Sequence, residues 1–448
     1  MMVFVSLLSC LILQVVSSPI PGGTPRQQPT LVKQWGTIGN QYPTVFIHGL
    51  LGFSEATPLL GFMNYWGGAT QNILTTLRSN GYTVSAPGVG PLSSNWERAC
   101  EVYAQIAGVV TDYGIARAHQ FGHYRFGKAY SANQALVPGF MQATSKTKIN
   151  IVGHSMGGPT ARLLVHLLEF GSQAELDACV QAQTVCSPLF WTNKTRSYVN
   201  GVFAISGAHQ GSPFDDELQS NGGFLDFFKQ AVISLVGANN WGKLNIYDLQ
   251  LGHWGLNPYP SEDVDDYFAR IQKSAWLKSK SHALFDLSIQ AQSDSLVSFV
   301  KNAPDTTYFS VAGITTSFDG RYANAELSTF IFLAPIAEFV GSYSNASLPL
   351  LSTFSPKEWR QNDGLVPLAS SRGPASGFTS FPIDLESGSQ ADLTASAPRT
   401  APGKGVYHFV GILDHADHAA LIGVSDIIPG QRDDLYLNIM RILASLSP

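Results

Sequence analysis

Ile149-Asn150-Ile151-Val152-Gly153-His154-Ser155-Met156-Gly157-Gly158-Pro159 decides how this chain reads. A short β-favouring run empties into a G-x-S-x-G pentapeptide, and from Pro159 to Phe170 the apolar Ala161, Leu164 and Leu168 recur at helical spacing. The pentapeptide alone is a weak signal, because a chain with 42 Gly among 448 residues shows about a third of one such match by accident. Its flanks give it meaning. A strand, a turn too tight for any residue but Gly beside the Ser, and a helix together push the Ser155 hydroxyl out at the carboxyl edge of a sheet. The helix N-terminus then lies under any oxyanion formed there.

A serine hydroxyl needs a His to take its proton and a carboxylate to fix that imidazole's tautomer. In a strand-turn-helix of this kind the carboxylate and then the His follow the Ser along the chain, on loops after late strands. Asp363, in Gln361-Asn362-Asp363-Gly364, is the acid candidate, although an Asp-Gly pair is also a common surface turn. His415 and His418 both follow an Asp past the last strand, and local sequence does not choose between them. His48-Gly49-Leu50 follows the first strand, where a second oxyanion donor belongs, so the backbone N–H groups of Leu50 and Met156 are the two candidates. A tight turn with a packed His48 would show the same residues. His154, His166 and His209 read as packing residues.

Further out, Thr44 to Ile47, Val202 to Ile205, Tyr308 to Ala312 and Val406 to Val410 are further β-favouring runs, and Leu435, Ile439, Ile442, Leu443 and Leu446 share one face of a closing helix. Apolar strands separated by helical patterns predict an α/β fold with a mostly parallel sheet covered on both faces. The segment from Glu386 to Gly405, rich in Ser, Ala, Pro and Gly, reads as a surface loop. With 27 Lys+Arg against 32 Asp+Glu and only 13% charged residues, a nucleic-acid partner is excluded, while 44% apolar residues suffice for a large core.

Val3 to Val16 is apolar, too short to span a membrane, and runs into Ser17-Ser18, which predicts a signal peptide over 1–18, an extended arm over 19–40 and a folded domain over 41–448. No later run is long enough to cross a bilayer. Export implies an oxidising compartment, in which Cys179 and Cys186 could close a small loop and Cys100 reads as a buried thiol. Asn193-Lys194-Thr195 and Asn345-Ala346-Ser347 are glycosylation sequons.

From about Pro43 onward the chain resembles the secreted lipases of thermophilic bacilli and staphylococci. The resemblance lies in Tyr65-Trp66-Gly67-Gly68, Gly90-Pro91-Leu92-Ser93-Ser94-Asn95-Trp96, Asp112-Tyr113-Gly114, Arg125-Phe126-Gly127, Asn362-Asp363-Gly364 and Asp417-His418 with Ile422-Gly423-Val424. It implies an α/β-hydrolase fold with inserted loops and a triad of Ser155, Asp363 and His418, choosing His418 over His415, with the oxyanion donors at Leu50 and Met156. It also implies a zinc held by two carboxylates and two His. The matching positions here are Glu97, Arg117, His123 and Gly252, two of which cannot serve. His119, one helical turn before His123, and His253, beside Gly252, could substitute. The implied calcium site falls on Ala420 and Ser425, leaving Asp426 as the sole stand-in. The expectation is therefore no required cofactor, and neither stoichiometric zinc nor calcium-dependent stability.

Phe224, Phe227, Phe228, Ala231, Val232 and Leu235 form one apolar helical stripe, and the resemblance implies a mobile lid at about 213–240; a fixed core helix would show the same spacing. The whole reads as a secreted carboxylic ester hydrolase of lipid catabolism, foremost a triacylglycerol lipase, meeting its acylglycerol or other ester substrate at a lipid-water interface. A soluble-ester carboxylesterase or an acyltransferase would use the same residues. An inactive lipid-binding protein would not need all three of them.

Overall fold

The computed structural model describes residues 40–448 apart from 60, 143, 221–222, 224–228, 230–246, 344–353, 382, 384, 386–401 and 427–429. The expected signal peptide and arm, the lid stripe, Asn345 and most of the 386–405 loop lie outside the described residues. Seven strands build the central sheet: β1 (Thr44–Ile47), β2 (Val84–Ser85), β5 (Ile149–His154), β6 (Val199–Ile205), β7 (Thr307–Ile314), β10 (Phe378–Ser380) and β11 (Tyr407–Asp414). Their order is β10-β11-β7-β6-β5-β1-β2, and every pairing is parallel. Two antiparallel ribbons are added, β3 (Val110–Asp112) with β4 (Phe126–Ala129) and β8 (Thr316–Phe318) with β9 (Ala323–Ala325). The five strands legible in the sequence are the five inner ones. The edge strands β2 and β10 run for two and three residues, too short for a period to register.

Both faces of the sheet are covered, as successive side chains of a strand require. Val45, Ile47, Ile149, Ile151, Val202 and Ala204 pack under α2 (Asn95–Ala107) and α4 (Gly157–Phe170). Their neighbours Phe46, Val152, Phe203 and Ile205 pack against α1 (Ile73–Ser79) and α7 (Asp433–Ser445). Each such side chain contributes about 1.5–3 kcal/mol when buried, so a strand hydrophobic on both faces is held inside the sheet from two directions.

α2 starts at a capping box in which Ser94 and Glu97 satisfy each other's backbone donors. Cys179 in α5 (Gln173–Gln181), which packs beside α3 (Ile115–Phe121), is bridged to Cys186 in the segment after its own helix, while Cys100 is a buried free thiol whose pKa burial pushes up. Asn193 of the first sequon is exposed. A further helix, α6 (Pro213–Ser220), opens the expected lid segment.

Candidate active site

The turn after β5 is built as its sequence demands. A Cβ on Gly153 would come within 2.4 Å of the Gly157 carbonyl oxygen, and one on Gly157 within 2.1 Å of the Ile47 oxygen. Ser155 sits between them in left-handed backbone, φ 57, a conformation costly for a residue with a Cβ and held here by its N–H donating to the Ile205 carbonyl at 3.0 Å. Its side chain therefore stands at the carboxyl edge of the sheet, beside the first turn of α4.

Asp363 and His418 meet at the same edge. His418 Nδ1 lies 2.7 Å from Asp363 Oδ2, and the backbone repeats the contact, with His418 N–H donating to the Asp363 carbonyl at 2.7 Å. Asp363 is fully buried, and its other oxygen accepts from Leu365 N–H at 3.0 Å and Val366 N–H at 2.8 Å, so this Asp-Gly turn faces inward. The His418 ring stands 4.4 Å from that of His154, the residue before Ser155. His415 stands apart from this pair. It is a surface side chain paired with Glu326 at 2.6 Å, which raises its pKa.

Leu50 lies three residues past the end of β1, and Gly49 abuts Ser155: a Cβ there would stand 2.6 Å from Ser155 Cβ and 3.0 Å from Ser155 Oγ. Among the described residues the N–H groups of Leu50 and Met156 have no hydrogen-bond acceptor, the condition for two donors kept open for an oxyanion. Several residues around them carried no role in the sequence. The Tyr65 hydroxyl accepts from Gly49 N–H at 2.7 Å and reaches His154 Nδ1 at 2.8 Å. Arg98, wholly buried, donates to His48 O, to Gly90 O at 3.0 Å and to Thr160 Oγ1 at 3.1 Å. Tyr65 lies in a stretch that resembled the lipases, the only signal the sequence held for it, and Arg98 lies two residues past another, with no signal of its own.

The zinc candidates separate. Gly122 takes left-handed backbone, φ 77, and ends α3 after Phe121, so His123 leaves the helix instead of following His119 by one helical turn. His119 is exposed and the expected i, i+4 pair is not formed. His253 does turn inward: its Nε2 lies 3.7 Å from Glu97 Oε2, and His123 Nε2 lies 4.0 Å from Glu97 Oε1. Both nitrogens are buried without a hydrogen-bond partner among the described residues.

Glu97, however, is already engaged. It accepts from Ser281 Oγ at 2.8 Å and Ser94 N–H at 3.1 Å, and Arg117 donates to the same Ser281 hydroxyl at 3.1 Å. Burial, the largest influence, pushes the Glu97 carboxyl up, but His253, Arg117 and His123 together hold it below the usual value. Among the described residues no three or more His, Cys, Asp or Glu converge closely enough to hold a metal ion. One carboxylate and two imidazoles beside a buried guanidinium do not fit the implied zinc, because that guanidinium repels a dication.

The calcium position fits no better. Asp426 is committed to Arg432, with Nε 3.1 Å and Nη2 3.4 Å from its two oxygens. Asp417 Oδ1 accepts from Ala419 N–H, Ala420 N–H and Ser425 Oγ, and its Oδ2 from Phe330 N–H. A cation that needs six to eight oxygens finds a guanidinium instead.

Comparison with known proteins follows the same outline. A family model described as "Lipase-like, C-terminal domain" matches residues 40–435. Lipase 2 of Staphylococcus aureus is 32% identical over 391 residues, 86% of this chain and 51% of that protein, so the chain spans about half the length of the staphylococcal relatives it matches. Among solved structures, EstA from Clostridium botulinum matches with a TM-score of 0.75 at 31% identity, covering 92% of this chain and 89% of that one. Staphylococcus hyicus lipase matches with a TM-score of 0.73 at 27% identity, covering 93% and 97%.

Proposed function

The chain belongs to the lipase-like family whose model spans it, and from that membership we propose that it is a serine ester hydrolase of lipid catabolism, a triacylglycerol lipase. The observation that carries the reading is the 2.7 Å pair of Asp363 and His418, both buried, beside a Ser155 held in left-handed backbone at the sheet edge. Ser155 Oγ attacks the ester carbonyl carbon while His418 Nε2 takes its proton. Asp363 keeps the other proton on Nδ1 and stabilises the imidazolium. The tetrahedral oxyanion is received by the N–H groups of Leu50 and Met156. The C–O bond to the alcohol breaks, the alcohol leaves with the His418 proton, and an acyl-Ser155 remains. Water, deprotonated by His418, then releases the fatty acid and restores the hydroxyl. No step needs a metal or cofactor.

Secretion belongs to the same reading, supported by the apolar run from Val3 to Val16 ahead of Ser17-Ser18. Among the described residues no helix is long and apolar enough to cross a membrane. The deciding experiment compares turnover of an emulsified long-chain triglyceride with that of a dissolved short-chain ester. The expected result is faster turnover of the emulsion. Turnover of the dissolved ester alone would make the protein a carboxylesterase, diversion of the acyl group to an added alcohol would make it an acyltransferase, and no turnover of either would overturn the proposal.

A further inference from the structure

Among the described residues Arg98 is the largest charged side chain with no exposure at all, and its three hydrogen-bond acceptors are all neutral, with Glu101 and Asp286 acting on it through charge alone. A guanidinium withdrawn from water without an acid in its grip is costly unless its position serves something. Its three acceptors belong to three segments: the loop after β1, which abuts Ser155, the 88–93 loop, which braces that loop, and the helix α4 that follows Ser155. We infer that Arg98 is a positioning residue that fixes both oxyanion donors, acting on Leu50 N–H through the His48-Gly49 backbone and on Met156 through the Thr160 hydroxyl. The inference rests on the reading of Leu50 and Met156 as the donors.

On the Leu50 side two successive peptide planes are held. The first, His48-Gly49, is gripped at its carbonyl by Arg98 and at its N–H by the Tyr65 hydroxyl, 2.7 Å away. The second, Gly49-Leu50, carries the donor itself. Its carbonyl lies 2.9 Å from His48 Nδ1 and accepts from Gly52 N–H at 3.2 Å. His48 Nε2 accepts from Val89 N–H at 3.1 Å, so the ring proton must sit on Nδ1 and be donated to Gly49 O. Burial first and the Arg98 charge second push the His48 pKa down to about 3, which keeps this tautomer neutral across any working pH. Because the N–H of a trans peptide points opposite to its C=O, fixing Gly49 O also fixes the direction of Leu50 N–H.

On the other side, Thr160 Oγ1 accepts from Arg98 Nε at 3.1 Å, and its proton is within reach of Asn95 Oδ1 at 2.6 Å and Met156 O at 2.9 Å. Met156 is thereby tied to the same guanidinium as the β1 loop. One rigid planar fork sets the spacing of two donors that come from different strands. A Lys in its place, a point charge on a flexible stem, cannot reach three divergent acceptors at once.

The test uses the full chain with Arg98→Lys and, as a milder arm, Thr160→Val and Thr160→Ser. Steady-state turnover of a dissolved short-chain ester and inhibition by an alkylboronic acid, which forms a tetrahedral adduct on the serine, are measured beside circular dichroism. Folded Arg98→Lys should lose about a hundredfold in kcat, the scale of one lost oxyanion donor, with KM nearly unchanged and boronate affinity falling in parallel. Thr160→Val should lose about tenfold, restored by Thr160→Ser. A merely structural arginine would lower the folded fraction without changing kcat per folded molecule or the boronate affinity, and that result overturns the inference. If Arg98→Lys does not fold, undiminished kcat and boronate affinity in Thr160→Val overturn it instead. Wild-type turnover that survives Ser155→Ala would show that the underlying reading, not the arginine, is at fault.

Discussion

Two buried groupings of imidazole and carboxylate lie in this protein, and their residue types are nearly the same. At the sheet edge, His418 and Asp363 touch at 2.7 Å, and the carboxylate's second oxygen is filled by two backbone N–H groups. Between α2 and the 252–254 turn, Glu97 faces His123 and His253 at 4.0 and 3.7 Å, with Arg117 reaching the same carboxylate through Ser281. The first has one imidazole, one acid and an adjacent hydroxyl. The second has two imidazoles, one acid and a permanent cation.

The difference lies in what the imidazole is free to do. In the first grouping one ring nitrogen is spent on orientation, and the other is the one that, on the proposed reading, exchanges a proton with Ser155. In the second, His123 Nδ1 lies 2.9 Å from the Tyr124 carbonyl and its other nitrogen faces, at 4.0 Å, an acid that already accepts from Ser281 and Ser94. Chemistry needs a free nitrogen beside a nucleophile; structure needs only a balanced charge. On the proposed reading the sheet-edge grouping serves catalysis and the Glu97 grouping stability.

Mutations can break or sharpen that contrast. Ser155→Ala should show the largest effect, a loss of about a millionfold in kcat together with loss of phosphonate labelling, at an unchanged circular dichroism spectrum. Retained turnover would remove the sheet-edge grouping from catalysis altogether. His418→Ala should be as damaging, because residues acting as one unit lose nearly everything on any single deletion, whereas His415→Ala, outside the grouping, should leave kcat close to wild type. Equal losses from the two histidines would reverse the choice between them.

Asp363→Asn should lower kcat by about ten-thousandfold with little change in KM, through the wrong His418 tautomer. Activity surviving that change would mean another carboxylate completes the triad. Glu97→Leu should leave kcat per folded molecule intact but cost about 3–5 kcal/mol in a urea titration, since the Arg117 guanidinium then stays buried without its acid. A selective loss of kcat instead would erase the distinction between the two groupings. The smallest effect is expected from chelation: dialysis against EDTA should leave the thermal midpoint unmoved and elemental analysis should find no stoichiometric zinc. One zinc per chain, lost in His123→Ala, would show that Glu97, His123 and His253 hold a metal despite Arg117.

Local signals made much of this legible. The elbow was readable because part of its constraint is met within five residues: Gly153 is required by the Gly157 backbone at the turn itself, whereas Gly157 is required by the Ile47 backbone on β1. The inner strands were readable because burial on both faces leaves an uninterrupted apolar run, and β2 and β10 were missed because edge strands need no such run. The helical pairing of His119 with His123 failed for an equally local reason, a left-handed Gly122 that ends the helix between them.

What the sequence determined by itself is the set of parts: a strand-turn-helix carrying Ser155, an apolar parallel sheet, two late histidines and an Asp-Gly turn, with the matching stretches that favoured His418. Tertiary structure decided which parts meet. Asp363 lies 55 positions from His418, and Arg98 reaches across 50 and 62 positions to His48 and Thr160. Nothing in the neighbours of any of these residues encodes such a meeting, because their partners are supplied by strand order and by which side of the sheet a loop leaves. The same holds for His415, separated from His418 by only two residues and turned to the surface by its own left-handed backbone, φ 59. A catalytic set is a relation in space, and its members acquire their roles when packing excludes water from one imidazole and leaves the other in it.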